Sequence, residues 1–146
     1  MITYLKGDAT DPKQRPAIIA HICNDEGKWG RGFVVALSKR WKEPEAAYRL
    51  MSRSKVELGY QQLVGVAPNL WVYNMVAQRG VGNGDICRVD HLALDHCLEV
   101  LKWEALERGA SVHMPRIGCG LGGAKWYQIE PALRKLGDVP VYVYDL

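Results

Sequence analysis

Two glycine-rich loops hold the residues of this chain that could do chemistry. One runs Met114-Pro115-Arg116-Ile117-Gly118-Cys119-Gly120-Leu121-Gly122-Gly123; the other runs Asn24-Asp25-Glu26-Gly27-Lys28-Trp29-Gly30-Arg31-Gly32. Four glycines in the six positions 118–123 allow positive φ and close approach of the backbone to a ligand. Successive bare N–H groups there, beside a helix N-terminus, make a site for a phosphate or diphosphate. The pattern is not a P-loop, because no Gly-Lys-Ser/Thr follows. Nor is it the G-x-G-x-x-G fingerprint in its first-strand setting. Cys119 adds a thiol inside the loop 114–123, the one cysteine placed as a nucleophile would be.

The elements around the loops decide whether they meet. Residues 2–5 read as a strand, and 17–22 as a second one that is apolar on both faces, as a central strand should be. Helices follow over 33–41 and 43–52, the latter with Pro44 in its first turn. Residues 62–67 and 70–76 flank Pro68-Asn69 and read as a hairpin. Three glycines mark 78–85 as a loop able to move over a ligand. Leu94, Cys97, Leu98, Leu101 and Ala105 share one face of a helix over 89–107, closed by Gly109. A strand at 111–114, a helix over 126–135 and a last strand at 139–144 complete the order. This predicts one domain over residues 1–146, a three-layer α/β fold with a mixed sheet. Both glycine loops leave buried strands, so they would flank one cleft at the carboxyl ends of the sheet.

Composition narrows the partners. A length of 146 residues suits a single core without staples. The net charge of +3 is spread along the chain, too weak a field to argue for nucleic-acid binding. Four cysteines lie far apart without C-x-x-C or metal-ligand spacing, and His91, His96 and His113 do not cluster with other ligands. No secretory leader opens the chain and no apolar run approaches a membrane span. The expectation is a reduced, cytoplasmic, monomeric protein without metal, cofactor or membrane partner, its thiols mostly packed.

Three segments together resemble the macrodomain family, the ADP-ribose-binding fold. They are Gly7-Asp8-Ala9-Thr10; His21-Ile22-Cys23-Asn24 with Trp29-Gly30-Arg31-Gly32-Phe33; and Pro115-Arg116-Ile117-Gly118-Cys119-Gly120-Leu121. Their order and spacing look like the branch holding terminal ADP-ribose protein glycohydrolases and ADP-ribose 1″-phosphate phosphatases. The resemblance implies a three-layer α/β/α macrodomain whose partners are ADP-ribose and ADP-ribosylated proteins, with ADP-ribosylated nucleic acid a further target in this branch. It implies that Asp8, with Ala9, receives the adenine amino group and that Tyr144 stacks on the adenine. Asn24 would hold the distal ribose, since an amide donates and accepts as a diol requires. Gly30, Arg31, Gly32 and Phe33 would wrap that ribose and one phosphate. Ile117, Gly118, Cys119, Gly120 and Leu121 would form the diphosphate loop.

Two departures from the branch bear on mechanism. Where it carries a nucleophilic lysine after the fourth strand, this chain has Gln78, which cannot form such an adduct. Where the branch has an acid in the diphosphate loop, Gly122 stands. Hydrolysis of an ADP-ribosyl bond would then use a water, oriented by the ligand's own diphosphate with Asn24 and Gln78. Release from Glu or Asp side chains is favoured, since a carboxylate leaves readily. His21 and Asp25 compete for a general-base role; the phosphatase members have a histidine implicated at the His21 position. The alternatives are therefore a 1″-phosphate phosphatase and a non-catalytic ADP-ribose reader.

Overall fold

A computed structural model describes residues 1–52 and 56–146. Six strands form one sheet: β1 (Ile2–Lys6), β2 (Ala17–Asn24), β3 (Gln61–Ala67), β4 (Leu70–Gln78), β5 (Ser111–Met114) and β6 (Val141–Asp145). Their order across the sheet is β1-β6-β5-β2-β4-β3. Every neighbouring pair is parallel except the β3–β4 hairpin. The sheet is therefore mixed, with helices on both faces, and the architecture is the three-layer α/β fold that the sequence predicts.

The strand pattern explains the layering. β2 alternates Ile18 and Ala20 toward one side with Ala17, Ile19 and Cys23 toward the other. On the first side lie α3 (His91–Arg108), the short α4 (Trp126–Ile129) and a 3₁₀ helix (Glu130–Leu136). On the second lie α1 (Phe33–Arg40) and α2 (Glu43–Ser52). Each Leu or Ile fully buried between the layers contributes about 1.5–3 kcal/mol, so a strand apolar on both faces is firmly held at the centre.

The caps follow local rules. The Asp90 carboxylate accepts from the Ala93 N–H at 2.8 Å to start α3, and Gly109 ends it with φ 61°. The expected single helix over 126–135 divides at Pro131, which has no N–H to continue an α ladder, and tightens to 3₁₀ geometry. Pro140 likewise delays β6 until Val141 rather than residue 139.

β2 and β5 are parallel neighbours in the middle of the sheet. The chain leaves β2 toward α1 on one face and β5 toward α4 on the other. That divergence opens a crevice at the carboxyl ends of the two strands, where open α/β sheets bind ligands.

Candidate functional site

A cavity of about 730 Å³ occupies the crevice. Ligand sites commonly measure roughly 300–1,000 Å³. One wall is the end of β2 and the loop after it: His21, Asn24, Trp29, Gly30, Arg31, Gly32 and Phe33. The opposite wall is Pro115, Arg116, Ile117, Gly118, Gly120, Leu121 and Gly122. Gln78 at the end of β4, with Val81 and Gly82, closes the back. The two glycine loops thus meet across one cleft.

The loop after β5 is folded by its own backbone. Cys119 N–H donates to the Arg116 carbonyl at 3.3 Å, Gly123 N–H to Gly120 at 3.1 Å, and Ala124 N–H to Gly118 at 2.9 Å. Among the described residues, the N–H groups of Gly118, Gly120, Leu121 and Gly122 find no acceptor. Gly118 has φ 76°, and a Cβ there would lie 2.8 Å from Val89 Cγ2, so only glycine fits. Opposite, α1 begins at Phe33 after Gly32 (φ 82°); the Val35 N–H is taken by the Gly32 carbonyl at 3.1 Å, and the unpaired N–H groups of Phe33 and Val34 belong to residues lining the same space. Bare N–H groups converging from two sides suit an anionic ligand.

The polar side chains divide sharply. Asn24 is spent on its own turn. Its Oδ1 accepts from the N–H of Glu26 (2.9 Å) and of Lys28 (3.1 Å), its Nδ2 donates to the Lys28 carbonyl (2.8 Å), and the buried Tyr48 hydroxyl donates to Asn24 as well. One Nδ2 hydrogen is left for a ligand. Gln78 Nε2 donates to the Gly80 carbonyl at 2.9 Å. Its Oε1 lies 3.1 Å from where a Cβ of residue 122 would sit, so Gln78 and Gly122 are spatial neighbours. His21 is 2% exposed, bonded through Nε2 to Asn74 Oδ1 at 2.5 Å, and burial lowers its pKa to about 4. Its imidazole is a neutral wall of the cavity rather than a group titrating near neutrality.

Other sequence-predicted residues lie elsewhere. Asp25 is not in the cavity lining; its carboxylate accepts the Gly80 N–H at 2.8 Å and ties the loop after β2 to the one after β4. That contact makes it a brace between the two loops. The same loop is held by the Arg88 N–H donating to the Gly122 carbonyl at 2.7 Å. Cys119 is also outside the lining, and burial raises its pKa, so the thiol stays protonated and its N–H is already used. Asp8 and Ala9 follow β1 and do not line the cavity. Hydrogen bonds from Thr10 hold the Asp8 carboxyl below its ordinary range, and Arg40 lies 3.4 Å from its second oxygen. Tyr144 does not line the cavity; it is 9% exposed, with its hydroxyl 2.7 Å from His113 Nδ1.

Sequence reasoning overlooked Arg116 and Asn74. Arg116 lines the cavity, pairs with both oxygens of Asp145 at 2.7 and 2.9 Å, and lies over the Tyr4 and Trp126 rings. The pairing with Asp145 raises its pKa. Nothing local foretold this, since Tyr4 and Asp145 lie at opposite ends of the chain. Asn74 had a visible signal: a lone amide in the otherwise apolar run Leu70-Trp71-Val72-Tyr73-Asn74-Met75-Val76-Ala77. Among the described residues, no three His, Cys, Asp or Glu side chains come together as a metal site would need.

Fold and site define an α/β/α ligand-binding domain with an anion-binding cradle at the switch point of its sheet. No protein-family model matches the chain. A macrodomain protein from Streptomyces coelicolor shares 42% sequence identity and a TM-score of 0.86, covering 100% of this chain and 99% of that one. A Bacteroides thetaiotaomicron protein of unknown function reaches 43% and 0.92, over 100% and 98%. An ADP-ribose 1″-phosphate phosphatase of Saccharomyces cerevisiae is 40% identical over 174 aligned positions, spanning 99% of this chain and 98% of the relative. The human ADP-ribose glycohydrolase OARD1 is 23% identical, over 99% and 91%. Chromodomain-helicase-DNA-binding protein 1-like of Mus musculus is 32% identical over 98% of this chain, which spans 17% of that relative's length; in Danio rerio the share is 14%. The chain belongs to the macrodomain family.

Proposed function

We propose that this macrodomain binds ADP-ribose in the cavity and hydrolyses mono-ADP-ribose from Glu and Asp side chains of modified proteins, using water and no lysine nucleophile. The observation that carries this is the neighbouring pair Gln78 and Gly122 at the wall of a cavity lined by unpaired N–H groups. The N–H groups of Gly120, Leu121 and Gly122 and the first turn of α1 would take the diphosphate, and loop 30–33 the distal ribose. Gln78 Oε1, whose amide is oriented by the Gly80 carbonyl, would accept a hydrogen bond from the attacking water. A diphosphate oxygen of the bound ligand takes the water's proton. The new bond joins the water oxygen to C1″, and the carboxylate departs with the electron pair of the broken C–O bond. Positioning supplies the acceleration, because burial leaves His21 a weak base with a pKa of about 4 and Asp25 is braced on Gly80.

Time-resolved release of ADP-ribose from a protein esterified on Glu or Asp tests this, against a protein-free control for the labile ester. Release above control, reduced at least tenfold in Gln78→Ala, is expected. Full activity of Gln78→Ala would exclude the water-orienting role. Binding without release would make the chain a reader. The name of the 40% identical yeast relative favours a second reading, removal of phosphate from ADP-ribose 1″-phosphate. Phosphate release from that compound, with esterified protein untouched, would establish it.

A further inference from the structure

His21 ends a hydrogen-bond relay whose direction is set by the backbone. Gln62 Nε2 donates to the Ala47 carbonyl at 2.9 Å, which leaves Gln62 Oε1 as an acceptor. Asn74 Nδ2 donates to that oxygen and to the Pro44 carbonyl, both at 3.1 Å. A carbonyl cannot donate, so turning either amide round would set oxygen against oxygen. Asn74 Oδ1 is therefore the acceptor, and His21 Nε2, facing it at 2.5 Å, carries the proton. Burial keeps the ring neutral, with a pKa of about 4, so Nδ1 holds a bare lone pair. Nδ1 is buried without a protein partner, while the ring lines the cavity under Trp29 and Phe33. An acceptor left this way is unfavourable, a cost that a ligand donor would remove.

We propose that the Asn74–Gln62 relay is a specificity element: it fixes His21 as a hydrogen-bond acceptor in the cavity wall, so the site takes a ligand hydroxyl there and disfavours a phosphate monoester. This rests on the ADP-ribose assignment above, the hydroxyl being that at C1″ of the distal ribose, the one a 1″-phosphate replaces. Nδ1 is itself covered, so a hydroxyl reaches it only when Phe33, the less buried of the two rings beside the imidazole, shifts. A phosphate dianion carries only acceptor oxygens and would meet the lone pair with repulsion. Asn74 and Gln62 line no part of the cavity and act through His21 as positioning residues.

Nitrogen-15 spectra of the full chain, labelled at histidine, read the tautomer directly. The free protein at neutral pH is expected to show a protonated Nε2 and a bare Nδ1, and the Nδ1 resonance should move as ADP-ribose saturates. An Nδ1–H tautomer or an imidazolium would overturn the proposal, as would an unmoved Nδ1 when calorimetry shows saturation. Absence of calorimetric binding would instead remove the ADP-ribose assignment, and the proposal with it. In Asn74→Asp, a carboxylate against Nε2 favours the imidazolium, whose Nδ1–H donates. The affinity for ADP-ribose 1″-phosphate relative to ADP-ribose should then rise about tenfold. An unchanged ratio in the folded variant would contradict the specificity role. Should Asn74→Asp not fold, the wild-type spectrum decides.

Discussion

Two alanines in the same loop should separate binding from folding. A Cβ at Gly120 would meet no protein atom within 4 Å, and the residue does not have the positive φ of Gly118 and Gly123. Alanine in a conformation it can adopt restricts the unfolded chain and stabilises by about 0.4–1 kcal/mol. Gly120→Ala should therefore melt no earlier than the parent. Gly120 lines the cavity, where the diphosphate is assigned. A methyl intruding on a close-packed ligand costs about 1–3 kcal/mol, which is roughly 5- to 150-fold in affinity. Gly122→Ala differs because its Cβ would lie 2.7 Å from the Gly118 carbonyl oxygen, the acceptor for Ala124 N–H. That turn must open, so both stability and binding fall, stability by about 1–3 kcal/mol. Calorimetric titration with ADP-ribose alongside thermal melts reads both quantities. Wild-type affinity in Gly120→Ala would refute the placement of the diphosphate on this loop.

Asp25→Asn keeps an acceptor for the Gly80 N–H and should retain activity within about threefold, whereas Asp25→Ala frees the loop and loses it; a dead Asp25→Asn would restore the general-base role. Asn24→Ala removes the acceptor of two backbone N–H groups and a partner of Tyr48, and should lower stability by about 2–3 kcal/mol in urea titrations; an unchanged midpoint would show the turn holds without it. Burial lowers the pKa of both His21 and His113 from 6.5 to about 4, so the unfolded chain binds protons that the folded one refuses. Stability should fall as pH drops through that window, with a slope of at most about 2.7 kcal/mol per pH unit; equal midpoints at about pH 7 and about pH 5 would contradict it.

Periodicity and turn chemistry made the fold legible. β2 is apolar on both faces because it is central, and α3 has a continuous buried stripe, so both elements show in the sequence. The loop 118–123 was readable because positions such as Gly118 admit no side chain. Side-chain duties were less legible, because they depend on partners distant in sequence. Tyr144 spends its hydroxyl on His113, across the β5–β6 pair. Asp25 accepts the Gly80 N–H, which the loop after β4 presents to it. Arg116 gains its setting from Tyr4 and Asp145, which meet because β1 and β6 pair in parallel at the sheet edge.

The central claim is that the cleft between the two glycine loops is an ADP-ribose site. Isothermal titration of the full chain with ADP-ribose tests it most directly, with Gly120→Ala in parallel. The account predicts saturable, one-to-one binding that weakens in the variant although its melting temperature holds. No heat of binding, or equal binding by both proteins, would contradict it.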